Sequence, residues 1–122
     1  MKITITSTGE TLDSQVDPRF GRAAYFLIGD SKANEFKAVK NENVAAGGGA
    51  GISSGKLVTD AGVEAVLTGN CGPNAERTLR TANVKLYIGA KGTVAEAIEL
   101  FRSGKLTEAE GPNVPSHSGT GE

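Results

Sequence analysis

The chain has a single cysteine, Cys71, in the stretch TGNCGPNAERTL (68–79), between a short apolar run and a proline suited to the first position of a helix. A thiol near a helix N-terminus is acidified by the aligned backbone dipoles, so thiolate becomes available for metal or cluster ligation or for nucleophilic attack. A small, soft residue that fits a tight turn is the other reading of the same position. His117, in NVPSHSG, is the only histidine. One Cys and one His do not complete a tetrahedral metal site, so a metal here needs water, backbone, exogenous ligands or a second subunit. No Cys–His pair held by the framework is visible, which argues against a cysteine nucleophile.

Two further stretches carry chemistry. DPRFGR (17–22) sets Arg19 and Arg22 around a Phe-Gly pair. Two guanidinium groups can clamp an acidic ligand bidentately, or they can pair with Asp13 and Asp17 close by. The run GGGAG, with Gly47, Gly48, Gly49 and Gly51, stands where a helix opens. Glycine-rich backbone there exposes N–H groups to an anion, or serves as a connection with unusual dihedrals. It lacks the G-K-[ST] ending of a Walker motif and the G-x-G-x-x-G spacing of a dinucleotide site.

The elements that must hold these residues follow from periodicity. KITITS (2–7) alternates as a half-buried strand does. AAYFLIG (23–29) and EFKAVKN (35–41) read as a hairpin, its second strand an exposed edge with Lys37 and Lys40. A helix after the glycine run has the apolar stripe Ala50, Leu57, Val58 and Ala61, with Ile52 off it, and Gly62 stops it. VEAVLTG (63–69) is a fourth strand, PNAERTLRTAN a helix begun by Pro73, and VKLYIG (84–89) a fifth strand. The last helix starts at Thr93 with Glu96 closing a capping box, and Gly104 ends it. Residues 1–106 are expected to form one domain and 107–122 a flexible tail rich in Gly, Pro, Ser and Glu.

The order β-β-β-α-β-α-β-α implies a single α/β domain of three layers, α/β/α, with a five-stranded mixed sheet. Right-handed crossovers make the first, fourth and fifth strands parallel neighbours. Loops 8–22, 43–51, 69–73 and 89–93 then emerge at one carboxyl edge, where open α/β sheets bind ligands. The site belongs there.

Composition sets the limits. A charge of −1, with 13 basic and 14 acidic residues scattered along 122 positions, offers no basic field for nucleic acid. No signal-peptide core or run of roughly 20 apolar residues appears, so no membrane association and a cytoplasmic location are expected. A lone cysteine excludes an intrachain disulfide scaffold. The first strand has no acidic residue and the fourth only Glu64, so two-metal nuclease chemistry has no ligand set.

Taken together, LDSQVDPRFGRAAYFLIGD, GGGAGISSGKLVTDAGVEAVLTGNCGPNAERTL and GTVAEAIELFRSGKL closely resemble the dinitrogenase iron–molybdenum cofactor biosynthesis domain family, over residues 1 to about 106. The resemblance implies a ribonuclease H-like fold without nuclease residues and a stand-alone member, since no CxxxCxxC motif is present. It implies a non-enzymatic carrier of an iron–sulfur cluster or iron–molybdenum cofactor precursor, with Arg19, Arg22, the Gly47–Gly51 backbone, Cys71 and Gly72 in contact. Cys71 is then the metal ligand, joined by His117 if the tail folds back. Cofactor-assembly proteins are the expected partners, and a monomer or weak homodimer the expected state. The alternative from the residues alone is a regulatory module that binds a small anionic metabolite without metal.

Overall fold

The computed structural model describes residues 1–42 and 50–109. Its elements run β1 (Lys2–Ser7), β2 (Tyr25–Asp30), β3 (Phe36–Lys40), α1 (Ala50–Asp60), β4 (Ala65–Leu67), α2 (Pro73–Thr81), β5 (Lys85–Ile88), α3 (Val94–Arg102) and β6 (Thr107–Glu108). The sheet order is β3-β2-β1-β4-β5-β6. β1, β4 and β5 are parallel, as the crossover rule requires, while β2, β3 and β6 pair antiparallel.

The expected five strands become six. β6 pairs with β5 through Tyr87↔Glu108 and Ile88↔Thr107, and Ala109 N–H donates to Leu86 O at 2.8 Å. Residues 107 and 108 therefore belong to the sheet rather than to a tail, with Ala109 bonded alongside. The pairing covers what would be an open edge of β5, and two residues are too few to show any periodicity. The opposite edge is β3, with Lys37 and Lys40 exposed as expected.

Helices cover both faces. Phe26, Ile28, Val66 and Leu86 point towards α1 and α2, where Val58, Ala75 and Leu79 complete one apolar cluster. Ile3, Ile5, Leu27 and Leu67 point the other way, against Val94, Ala97 and Ile98 of α3. α1 and α2 approach closely because Gly51 and Gly55 lack side chains. A Cβ at Gly51 would lie 3.2 Å from Ala75 Cβ, and one at Gly55 2.8 Å from Thr78 Cγ2. Ile52 lies off the stripe and is exposed. Gly62 and Gly104 take the left-handed conformation that ends a helix, with φ of 80° and 72°. The Thr93–Glu96 capping box forms on both sides, at 3.1 and 2.8 Å. Among the described residues no helix is long and apolar enough to cross a membrane.

β1 is not half-buried. Residues 3–7 are all buried, because the strand sits in the middle of the sheet with helices on both sides. Its threonines face α1 and α2. Thr6 Oγ1 donates to Asp17 O at 2.7 Å and shares a 2.8 Å bond with Thr68 Oγ1, while Thr4 Oγ1 has no partner among the described residues. A buried hydroxyl without a partner costs its desolvation, so Thr4→Val, which keeps the shape, is expected to stabilise the fold by about 1 kcal/mol. Urea melts of the two proteins check this. A less stable variant would mean that the hydroxyl contributes.

Candidate functional site

Three of the four expected loops meet at the carboxyl edge, and main-chain bonds lace them together. Residue 17 enters the lattice at the end of β1, where Asp17 N–H donates to Thr6 O at 2.9 Å. The DPRFGR loop then pairs with the loop before α2. Asn70 N–H donates to Pro18 O at 2.7 Å, and Phe20 N–H donates to Asn70 O at 3.2 Å, forming a parallel bridge between Arg19 and Asn70. Gly69 permits this approach, since a Cβ there would lie 2.9 Å from Pro18 Cα. Val16 N–H donates to Gly92 O and Val94 N–H to Ser14 O, both at 2.9 Å, which fastens the 89–93 loop and the start of α3 to the same segment. Gly89 N–H to Gly69 O, at 3.2 Å, closes the ring.

The fourth loop is represented by its flanks. Asn41 Nδ2 donates to Gly21 O at 3.2 Å and Ala23 O at 2.8 Å, and Ser54 Oγ of α1 donates to Gly21 O at 2.9 Å. The end of β3 and the first turns of α1 thus hold the DPRFGR loop from the other side. Gly47, Gly48 and Gly49 lie outside the described residues, as does His117. Gly51 lies in the first turn of α1, where its missing side chain admits α2.

Asp17 organises the loop. Its side chain is 4% exposed. Oδ1 accepts from Arg19 N–H at 3.1 Å and from Arg19 Nε at 3.4 Å, and Oδ2 accepts from Ala24 N–H at 3.3 Å. The first of these is an Asx turn, for which Asp immediately before Pro-Arg is a readable signal. Sequence reasoning treated Asp17 only as a pairing partner for arginine. Arg19 does pair with it, yet the Arg19 side chain stays 63% exposed. Arg22 is exposed at the same loop.

Cys71 departs from expectation. It is 1% exposed, in the apolar cluster with Phe20, Phe26 and Ala75. Burial pushes its thiol up from 9.0 to about 12, and the Glu76 carboxylate adds in the same direction. The helix dipole was expected to lower this value, but desolvation of the charged form outweighs it. Glu76, nearly buried in the first turn of α2 and 3.4 Å from Arg80, went unnoticed in the sequence because Glu in a first helical turn is commonplace. Gly72 is the N-cap of α2, with no side-chain cap and open space around its Cα. Among the described residues no three His, Cys, Asp or Glu gather as a metal set. The edge thus combines backbone amides at an uncapped helix start with arginines, over a closed thiol.

These features define a three-layer α/β domain whose loops meet at one carboxyl edge. A family model described as dinitrogenase iron-molybdenum cofactor matches residues 1–104, and the chain belongs to that family. An uncharacterized protein of Methanocaldococcus jannaschii is 32% identical over 101 residues, covering 80% of this chain and 86% of the relative. The apo form of the orange protein from Desulfovibrio gigas is similar in structure, with TM-score 0.89 and 36% identity over 93% of this chain and 96% of that one. A Thermotoga protein provisionally named NifB gives TM-score 0.77 and 39% identity, over 88% of this chain and 91% of its own.

Proposed function

We propose that this protein binds and carries an iron–sulfur cluster, an iron–molybdenum cofactor or a precursor of one, without catalysing a reaction on it. The observation that carries the reading is the exposure of Arg19 on a laced edge beside the start of α2, which no side chain caps. Metal–sulfur clusters are anionic, and guanidinium groups with helix-start amides are suited to hold such charge. Family membership supports the choice of ligand. In this reading Arg19, Arg22 and the backbone around Gly72 face the cluster, with Gly47, Gly48, Gly49, Gly51 and His117 as further contacts. Cys71 ligates only when the 17–22 and 69–73 loops part. The strand order β3-β2-β1-β4-β5 supports a ribonuclease H-like assignment of the fold within the same proposal. A cytoplasmic location and delivery to a cofactor-assembly protein complete it.

The buried thiol favours a second reading, in which the edge takes a small anionic metabolite and no metal. The two separate in one experiment. Protein purified without oxygen is given iron and sulfide, or a preformed cluster, and followed by visible absorption and EPR. Wild type is expected to take up a cluster, Arg19→Ala to hold it about tenfold more weakly, and Cys71→Ser to lose the spectral signature of thiolate ligation. No uptake by wild type sinks the carrier reading. Metal-independent binding of a phosphate- or carboxylate-bearing metabolite installs the second. Identical spectra for wild type and Cys71→Ser remove Cys71 as ligand.

A further inference from the structure

We infer that Asp17 is a positioning residue, which holds the Arg19 guanidinium side-on so that its terminal fork faces the ligand. The inference rests on reading the carboxyl edge as an anion site. A guanidinium offers two hydrogen-bonding edges, one made with Nε and one by the two terminal nitrogens. Asp17 Oδ1 takes Nε, and Arg19 makes no other side-chain hydrogen bond or ion pair among the described residues. The terminal edge is therefore left unengaged on a side chain that is 63% exposed, and such an edge can engage two oxygens or two sulfides of one anion.

The support beneath this tether is densely hydrogen-bonded. Asp17 is buried and fixed to the end of β1 by Asp17 N–H to Thr6 O at 2.9 Å and by Thr6 Oγ1 to Asp17 O at 2.7 Å. Its Oδ2 closes the loop on Ala24 N–H. The neighbouring residue, Pro18, is held by Asn70. A long cationic side chain ordinarily loses rotamer freedom on binding. Here part of that ordering is already present, because the carboxylate and the arginine backbone are both fixed. Specificity follows too. A lysine at position 19 would supply charge but neither the Nε tether nor the fork.

The test uses the full chain and a preformed, thiolate-capped [4Fe–4S] cluster as probe, titrated by visible absorption under argon. Wild type, Asp17→Asn, Arg19→Ala and the double variant are compared. Asp17→Asn and Arg19→Ala are each expected to weaken binding about tenfold, and Asp17→Asn is expected to add nothing once Arg19 is gone. An Asp17→Asn variant that binds as wild type does, or that weakens binding equally with and without Arg19, overturns the inference. Arg19→Lys is the arm that avoids any folding defect at Asp17. It is expected to bind as weakly as Arg19→Ala, and wild-type affinity would overturn the fork geometry. The Arg19 Nε–H resonance in a nitrogen-15 spectrum reads the tether without ligand. It is expected to exchange slowly in wild type and fast in Asp17→Asn, and fast exchange in wild type overturns the tether. A slow Nε–H together with unchanged binding by Arg19→Ala keeps the tether but removes its role, and with it the anion reading of this loop.

Discussion

In native buffer at pH 8, Cys71 is expected to react with DTNB roughly a thousandfold more slowly than the same thiol in the denatured chain. The factor follows from thiolate fraction alone. A group titrating near 9.0 is about a tenth ionised at pH 8, and one raised to about 12 is ionised about one part in ten thousand. Steric closure under the Arg19–Asn70 bridge slows the reaction further. The same shift has a stability consequence. The raised value means that the folded state holds the thiol proton more tightly than the unfolded chain does. Its contribution is complete below 9.0 and is lost as the pH rises through about 12. Alkaline unfolding of wild type should therefore steepen in that window, and Cys71→Ser should flatten it. Rapid labelling of the native protein at pH 8 would refute the closed thiol.

Gly69→Val should break the contact that keeps the thiol closed. Even a Cβ at this position would lie 2.9 Å from Pro18 Cα and 3.1 Å from Pro18 O, both main-chain atoms with little room to give. Overpacking of this kind costs about 2 kcal/mol, read as a shift in the urea midpoint at unchanged slope. The strain has a direction, because it pushes the DPRFGR loop away from the loop before α2. DTNB labelling of Cys71 should accordingly accelerate well beyond what global unfolding explains. A variant as stable and as slowly labelled as wild type would show that the two loops move apart without cost.

Much of this arrangement was legible because local chemistry and topology agreed. The Thr93–Glu96 capping box, the left-handed Gly62 and Gly104, the exposed position of Ile52 and the parallel β1, β4 and β5 all follow from spacing and handedness. The carboxyl edge followed from strand order alone, before any distance was known. What spacing misses is contact between distant segments. Thr4 and Thr6 read as a solvent-facing stripe, since a threonine looks polar in a pattern, yet helices cover them. β6 is two residues long and forms only because β5 offers an edge. Cys71 looked acidic because its helix was visible, whereas Phe20, brought into the same cluster from a loop fifty positions earlier, was not visibly near it. Asp17 had a readable turn signal, but the direction in which it aims Arg19 is a three-dimensional fact.

Beside the side-chain bonds of Asp17, Asn41 and Ser54, a set of peptide-to-peptide bonds stitches the carboxyl edge: Asn70 to Pro18, Phe20 to Asn70, Val16 to Gly92, Val94 to Ser14 and Gly89 to Gly69. The peptide-to-peptide part does not depend on which exposed side chains stand above it, apart from small residues such as Gly69 where backbones touch. The scaffold and the surface chemistry are thereby separable. Exposed residues such as Arg19 and Arg22 can then be exchanged while the edge keeps its shape. Diversification of surface chemistry within one architecture needs no more than that.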